Sequence, residues 1–186
     1  LTRIAFPTVE TAKAIDIPGY DILKISGRVE FKGAKLTNAD VSGAKLNFST
    51  WSNCYFSNVL FAKTEMKNSC FYGCKFFNCQ FDHTDFREAS FSLASSGQPT
   101  SMHECRLSGV DLRGASSDSI EMISSEIIKC KLGDFVFRDA RIVRCSLIGF
   151  YDQLNFRRHS NERKIIELDI SGADIAWLNA NGGIGL

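Results

Sequence analysis

From Phe31 to Phe91 every fifth residue is large and apolar: Phe31, Leu36, Val41, Leu46, Trp51, Phe56, Phe61, Met66, Phe71, Phe76, Phe81, Phe86 and Phe91. Two positions before each stands a smaller residue, the series running Val29, Ala34, Ala39, Ala44, Ser49, Cys54, Val59, Thr64, Ser69, Cys74, Cys79, Thr84 and Ala89. The three remaining positions are mostly Lys, Asn, Asp, Ser and Gly. A period of five matches neither the strand period of two nor the helical 3.6. It requires a unit that turns the chain once per five residues. Such a unit buries its apolar side only by stacking on copies of itself, which predicts a solenoid. The outward Asn, Gly and Asp supply the turns, because they tolerate positive φ or bond their own backbone.

The pattern lapses over 92–104, SLASSGQPTSMHE, where Gly97, Pro99 and the surrounding hydroxyl residues predict a loop leaving the wall. It resumes one position out of phase at Leu107 and runs through Leu112, Met122, Ile127, Leu132, Phe137, Ile142 and Leu147. Ser117 is its weak unit. Ala115 and Ser117 are small where Phe135 and Phe137 stand one coil later, so the larger pair is expected to fill the room the smaller pair leaves. A second lapse covers 148–167, after which Leu168-Asp169-Ile170 and Ala173-Asp174-Ile175 restore the pattern for a last partial coil. The domain reading is a cap over 1–25 and a repeat domain over 26–186, interrupted by loops at 92–104 and 148–167. Within the cap, Thr8–Ala14 reads as a helical turn or two, Pro18-Gly19 as a turn and Ile22–Ile25 as a bridging strand. The chain begins with Leu1 and closes on an apolar tail, Gly182–Leu186, with no capping helix pattern. A homodimer mate or further chain is expected to cover that end.

Four segments carry a more specific likeness: Ala39-Asp40-Val41-Ser42-Gly43, Thr84-Asp85-Phe86-Arg87-Glu88, Val110-Asp111-Leu112-Arg113-Gly114 and Ala173-Asp174-Ile175. The chain resembles the pentapeptide-repeat family, whose unit is roughly A-[DN]-[LF]-x-x. The resemblance implies an all-β fold, a right-handed quadrilateral parallel β-helix with four repeats per coil. Residues twenty apart should then stack, giving ladders Leu36–Phe56–Phe76, Val41–Phe61–Phe81 and Trp51–Phe71–Phe91. An amide ladder, Asn38–Asn58–Asn78, should climb one outer corner, and Tyr55 should lie between Lys35 and Lys75.

Composition narrows the function classes. The chain has 186 residues, one domain's worth, with 44% hydrophobic residues including 15 Phe. The formal charge is +1 and both signs alternate, which argues against a chain-wide surface for direct nucleic-acid or acidic-membrane binding. No apolar run reaches the ~20 residues of a membrane span. Of seven cysteines, Cys54, Cys74, Cys79, Cys105, Cys130 and Cys145 occupy the small inward position and only Cys70 does not. Cysteine there reads as a small free hydrophobe. Free thiols fit a reducing compartment, the cytoplasm or, for a delivered protein, a host's cytoplasm. His83, His103 and His159 share no metal-ligand spacing with a cysteine or carboxylate, and no metal or cofactor is expected. Asp82, Asp85 and Glu88 sit on outward positions beside Arg87 and read as a solvated face.

Two stretches are candidates for partner binding. The first is Arg157, Arg158, His159, Arg163 and Lys164, the sharpest basic segment, whose guanidinium groups suit carboxylates or phosphates. The second is the 92–104 excursion, with Pro99 and His103. The outward aromatics Phe48, Tyr55, Tyr72 and Phe77 add an apolar contact surface. The chain is expected to be no enzyme but a protein-binding scaffold. By resemblance this is the β-helical partner-binding part of a larger secreted bacterial effector, of the kind that precedes HECT-like ubiquitin-ligase lobes. The alternative, also from resemblance, is a DNA mimic that binds DNA gyrase and protects it from quinolones or toxins. Outward Lys32, Lys35, Lys45, Lys63, Lys67 and Lys75 run against the anionic surface that mimicry needs.

Overall fold

The computed structural model describes residues 28–132, 135 and 140–146, together with the backbone of the strands Ile15–Asp16, Val136–Arg138, Ser146–Ile148, Asn155–Arg157, Lys164–Ile166 and Asp169–Ser171. All regular structure among these residues is short parallel strand, wound as a four-sided solenoid. Each side is named here by an inward residue. The Trp51 side is a sheet of seven strands, the Phe56 side one of eight and the Phe61 side one of five. The Met66 side is joined by single bridges, Lys45 to Glu65 to Asp85 to Asp111 to Lys131.

The five-residue unit explains this geometry. A small residue and a large one, two positions apart on a strand, point to the same face. The outward residue between them completes a three- or four-residue strand, and then a corner is needed. Every corner from Gly33 to Glu88 holds one residue in the left-handed region, and the non-glycine ones have φ between 49 and 61°. Asn38, Asn53, Asn58, Asn68 and Asn78 fill five of them, as their tolerance of that region predicts. On two sides the corner closes with a turn bond from the small residue's N–H to the preceding large residue's carbonyl, as in Ala44 to Val41 (3.1 Å) and Ala89 to Phe86 (3.0 Å).

The predicted stacking holds. Leu36 registers with Phe56 and Phe56 with Phe76; Phe31, Trp51, Phe71 and Phe91 form the neighbouring ladder. Rings in a ladder lie parallel, Phe56 on Phe76 at 4.6 Å and Phe61 on Phe81 at 4.8 Å between centroids. Rings on adjacent sides meet edge to face, as Phe71 and Phe86 do at 5.7 Å and 80°. Both arrangements are favourable for ring quadrupoles. Phe135, above Ala115, is buried as the weak unit at Ser117 requires.

The small inward position has a second role. Its hydroxyl or thiol donates to the carbonyl of the large residue one coil and one side earlier. Thr64 reaches Val41 (3.2 Å), Ser69 reaches Leu46 (2.9 Å), Cys74 reaches Trp51 (3.3 Å) and Cys130 reaches Leu107 (3.4 Å). Ser49 also accepts from the buried Trp51 indole N–H at 2.7 Å. All seven cysteines are free thiols, and six are buried.

Two boundaries differ from the expected ones. The excursion occupies 93–99, not 92–104: Ser101–His103 is a wall strand, with Met102 in register with Phe76 and Met122. Thr100 and Met102 are themselves a small–large unit, disguised by flanking Pro99 and His103. The loop stands where the coils directly below and above place one corner residue, so this coil has 26 residues instead of 20. The second lapse also carries wall strands. Asn155–Arg157 pairs with Val136–Arg138, and Lys164–Ile166 pairs with Arg141–Val143. Backbone pairing needs no particular side chain, so the wall continues where the five-residue pattern fades. Ahead of the repeats, Ile15–Asp16 pairs with Ala34–Lys35. The helical turn expected over 8–14, the strand over 22–25 and the tail from Gly182 lie outside the described residues.

Candidate functional site

The face around the corner between the Trp51 and Phe56 sides stands out from the rest of the wall. Among the described residues, three of the five large exposed hydrophobics stand around it, Tyr72 (36% exposed), Tyr55 (38%) and Leu93 (38%), and a fourth, Phe77 (40%), stands at the far edge of the Phe56 side beside the Asn78 corner. The fifth, Phe48, stands at a different corner, between the Met66 and Trp51 sides, so the aromatics expected to form one surface are split. Tyr55 registers directly between Lys35 and Lys75, which makes a Lys–Tyr–Lys ladder on the outside of the Phe56 side. Lys32 begins the column that Tyr72 continues on the Trp51 side. The Tyr72 hydroxyl bonds Cys70, which holds its pKa above the usual phenol value.

The 93–99 loop forms the upper rim of this face. Ala94 turns inward, tied by its N–H to the Gln98 carbonyl (2.8 Å), and the Gly97 N–H returns to Ala94 (2.8 Å). Ala94 lands on Gly73, where an added Cβ would stand 2.6 Å from the Ala94 Cβ. The absent side chain at Gly73 therefore seats the loop. Pro99 is half-buried where the loop rejoins the wall. His103 follows Phe77 in the outward column of the Phe56 side, and its Nε2 is 3.7 Å from a Glu121 carboxylate oxygen.

Charge is divided between the coils. Residues 28–78 hold seven Lys and Arg against three Asp and Glu, whereas residues 79–132 hold five against eight. In the acidic zone arginines are engaged internally. Arg87 bonds Asp85 (2.6 Å), Arg113 bonds Asp111 (2.7 Å) and Arg106 bonds Glu126 (3.0 Å); Glu121 takes Arg141. The Arg87 hydrogen bonds hold the Asp85 carboxyl below its ordinary pKa. At Asp111 burial pushes the carboxyl up, and the bonds from Arg113 outweigh it. Lys32, Lys35 and Lys75 on the aromatic face have no ion pair among the described residues.

Of the residues singled out from sequence, Pro99 and His103 fall at the edge of this face. Arg157 and Lys164 lie on strands, registered with Arg138 on the Trp51 side and Arg141 on the Phe56 side. Arg158, His159 and Arg163 lie outside the described residues. The predicted amide ladder is present, with Asn58 donating to Asn38 (2.9 Å) and Asn78 to Asn58 (2.8 Å). With Leu60 and Gln80 it lines a shallow groove of about 230 Å³. Among the described residues no group of three or more His, Cys, Asp and Glu is placed to hold a metal ion, and no helix is long and apolar enough to cross a membrane. Leu93 was missed in sequence, because nothing in the loop's composition says which neighbour it meets.

The family model of pentapeptide repeats matches in eight copies, with residues 42–76 matched. No curated protein matches the chain. Among solved structures, the chain is similar to a pentapeptide repeat protein of the Arabidopsis thaliana thylakoid lumen, at 17% identity and TM-score 0.39, over 62% of this chain and 65% of that one. It thus spans less than two thirds of that protein's length. It is similar to Rfr23 of the cyanobacterium Cyanothece 51142, at 12% identity and TM-score 0.32, over 77% of this chain and 67% of that one. It is also similar to QnrB1, a plasmid-mediated fluoroquinolone resistance protein, at 17% identity and TM-score 0.32, over 94% and 99% of the two chains. The chain thus carries pentapeptide repeats: the family model matches at 42–76, and the same five-residue unit builds the described wall from Val29 to Cys145.

Proposed function

We propose that this chain is a non-enzymatic protein-binding scaffold and that the Tyr55–Tyr72–Phe77 face is its docking surface. The observation that carries the reading is the conjunction of exposed rings with lysines that have no ion pair among the described residues, on a wall whose backbone bonds are consumed within the stack. Contiguous exposed apolar area of this kind marks contact surfaces, and aromatic residues are the usual anchors of protein interfaces. A rigid solenoid side costs little ordering entropy on binding, which favours a wall over a loop as a platform.

The finer reading, the partner-binding part of a larger secreted effector, rests on the family resemblance and on the irregular coils, and the same face would serve it. The gyrase-protecting alternative needs an anionic outer surface. The basic balance of residues 28–78 opposes it.

Two measurements test the proposal. Immobilised protein should capture a protein partner that Tyr55→Ala/Phe77→Ala protein fails to capture, while Arg113→Ala protein retains it. Equal capture by all three removes the face from the proposal. In a supercoiling assay with a quinolone present, the chain should leave gyrase unprotected; protection would move the assignment to the alternative.

A further inference from the structure

The spacing of the Lys35–Tyr55–Lys75 ladder says more about what docks there; the argument rests on the scaffold reading above. Successive coils are separated by the strand spacing, about 4.8 Å, so Lys35 and Lys75 stand about 9.6 Å apart with one aromatic ring midway. The strands that carry them already give both backbone edges to neighbouring coils: the Lys75 N–H bonds Cys54, and Ser101 bonds Cys74. A partner cannot join this sheet as another strand and must bind through side chains alone.

An extended β segment fits the spacing poorly. Its same-face residues are about 6.7 Å apart at i, i+2 and about 13 Å apart at i, i+4. A polyproline II helix fits well. It turns once per three residues with a rise of about 3.1 Å, so residues at i, i+3 share a face about 9.3 Å apart. Such a helix needs no backbone pairing, and prolines dock on exposed aromatic rings.

We infer that the face accepts an acidic, proline-rich segment in the polyproline II conformation, with carboxylates at i and i+3 on Lys35 and Lys75 and the intervening residues against Tyr55, Tyr72 and Phe77. The sign follows from the charge: Lys32, Lys35 and Lys75 have no ion pair among the described residues, Asp16 is the one acidic residue registered beside Lys35, and residues 28–78 are net basic, so an anionic segment is the complement of this face. The 93–99 loop, seated on Gly73 and presenting Leu93, limits the segment at the upper end.

The test uses two labelled peptides of identical composition, (Glu-Pro-Pro) repeated four times and (Glu-Pro-Glu-Pro-Pro-Pro) repeated twice, titrated with the whole chain by fluorescence anisotropy. The triplet peptide should bind, and more tightly than its isomer by about tenfold or more, since only it presents carboxylates three apart. Lys35→Glu/Lys75→Glu should abolish binding and Tyr55→Ala should weaken it. Lys129→Glu/Lys131→Glu, on other sides, should leave it unchanged. Circular dichroism confirms that each variant is folded. Equal binding of both peptides, or no binding, overturns the inference. Oligothymidylate that displaces the triplet peptide overturns it in favour of single-stranded nucleic acid. If the peptides fail while partner capture still depends on Tyr55 and Phe77, the spacing argument falls alone; if capture is also independent of the face, the scaffold reading falls with it.

Discussion

Phe76 lies in the middle of the Leu36–Phe56–Phe76–Met102 ladder and is almost fully buried, whereas Gln80 stands four residues on and faces solvent. Phe76→Asp removes a stacked ring and buries a carboxylate, a cost of about 4 kcal/mol or more. Gln80→Lys should change stability by less than about 0.5 kcal/mol. Denaturant titration followed by circular dichroism checks both, and a wild-type midpoint for Phe76→Asp would refute the inward register. Glycine corners separate conformational from steric cost. Gly43 has φ 74° with open space around it, and Gly43→Ala should cost about 1 kcal/mol. Gly73 adds the Ala94 contact, so Gly73→Ala should cost clearly more and raise protease sensitivity within 93–99. Thiols give a third residue-level test. Cys70 is partly exposed and the other six are buried, and burial pushes the Cys74 thiol up. Under native conditions one thiol per chain among these residues should label rapidly, at Cys70; fast modification of Cys74 or Cys79 would contradict the packing.

At the scale of elements, the informative one is the 93–99 loop. Seven residues stand where the coils directly below and above place one corner residue, and the Cys74 to Thr100 contact keeps the stacking on both sides. The wall therefore does not need the loop. Replacing Leu93–Pro99 by a single Asn should restore a 20-residue coil and leave the melting temperature within a few degrees of wild type. The same variant bares Gly73 and removes Leu93, so it should alter partner capture without unfolding the chain. A collapse of the melting transition would mean that the loop's contacts with Gly73 hold the coils together.

For the molecule as a whole, stability is a sum over stacked coils and their contacts, and buried thiols thread that stack. Burial raises the Cys130 thiol to about 11, from an ordinary value of 9.0. Cys145 is raised as well. A raised folded-state pKa contributes nothing to the pH dependence below about 9, where both states are protonated. Above it the unfolded chain ionises first, so stability declines until the folded thiol also titrates, by roughly 1.4 kcal/mol per unit of difference. Unfolding free energy should therefore fall between pH 9 and pH 11, and Cys130→Ala should show a shallower fall. Identical slopes in wild type and variant would exclude this origin.

The five-residue period, the inward column, the left-handed corners and the free thiols were legible in the sequence because each depends on local sterics and on burial of one side of a repeating unit. Asn38, Asn58 and Asn78 declared their corner by residue type, and Phe56 and Phe76 declared their ladder by spacing. The boundary of the excursion was not legible. Whether Met102 belongs to the loop or the wall depends on its pairing with Phe76, a contact across 26 residues. The same holds for the wall strands around Phe156 and Ile165, whose backbone pairs without the repeat's side-chain pattern. The docking face is the clearest case. Tyr55, Tyr72, Phe77 and Leu93 belong to different repeats, and their outward positions are visible in the sequence. That Tyr55, Tyr72 and Leu93 meet around one corner, with Phe77 across the Phe56 side and Phe48 at another corner, and the loop closing over Gly73, follows from the stacking offset between coils, which only the folded solenoid sets.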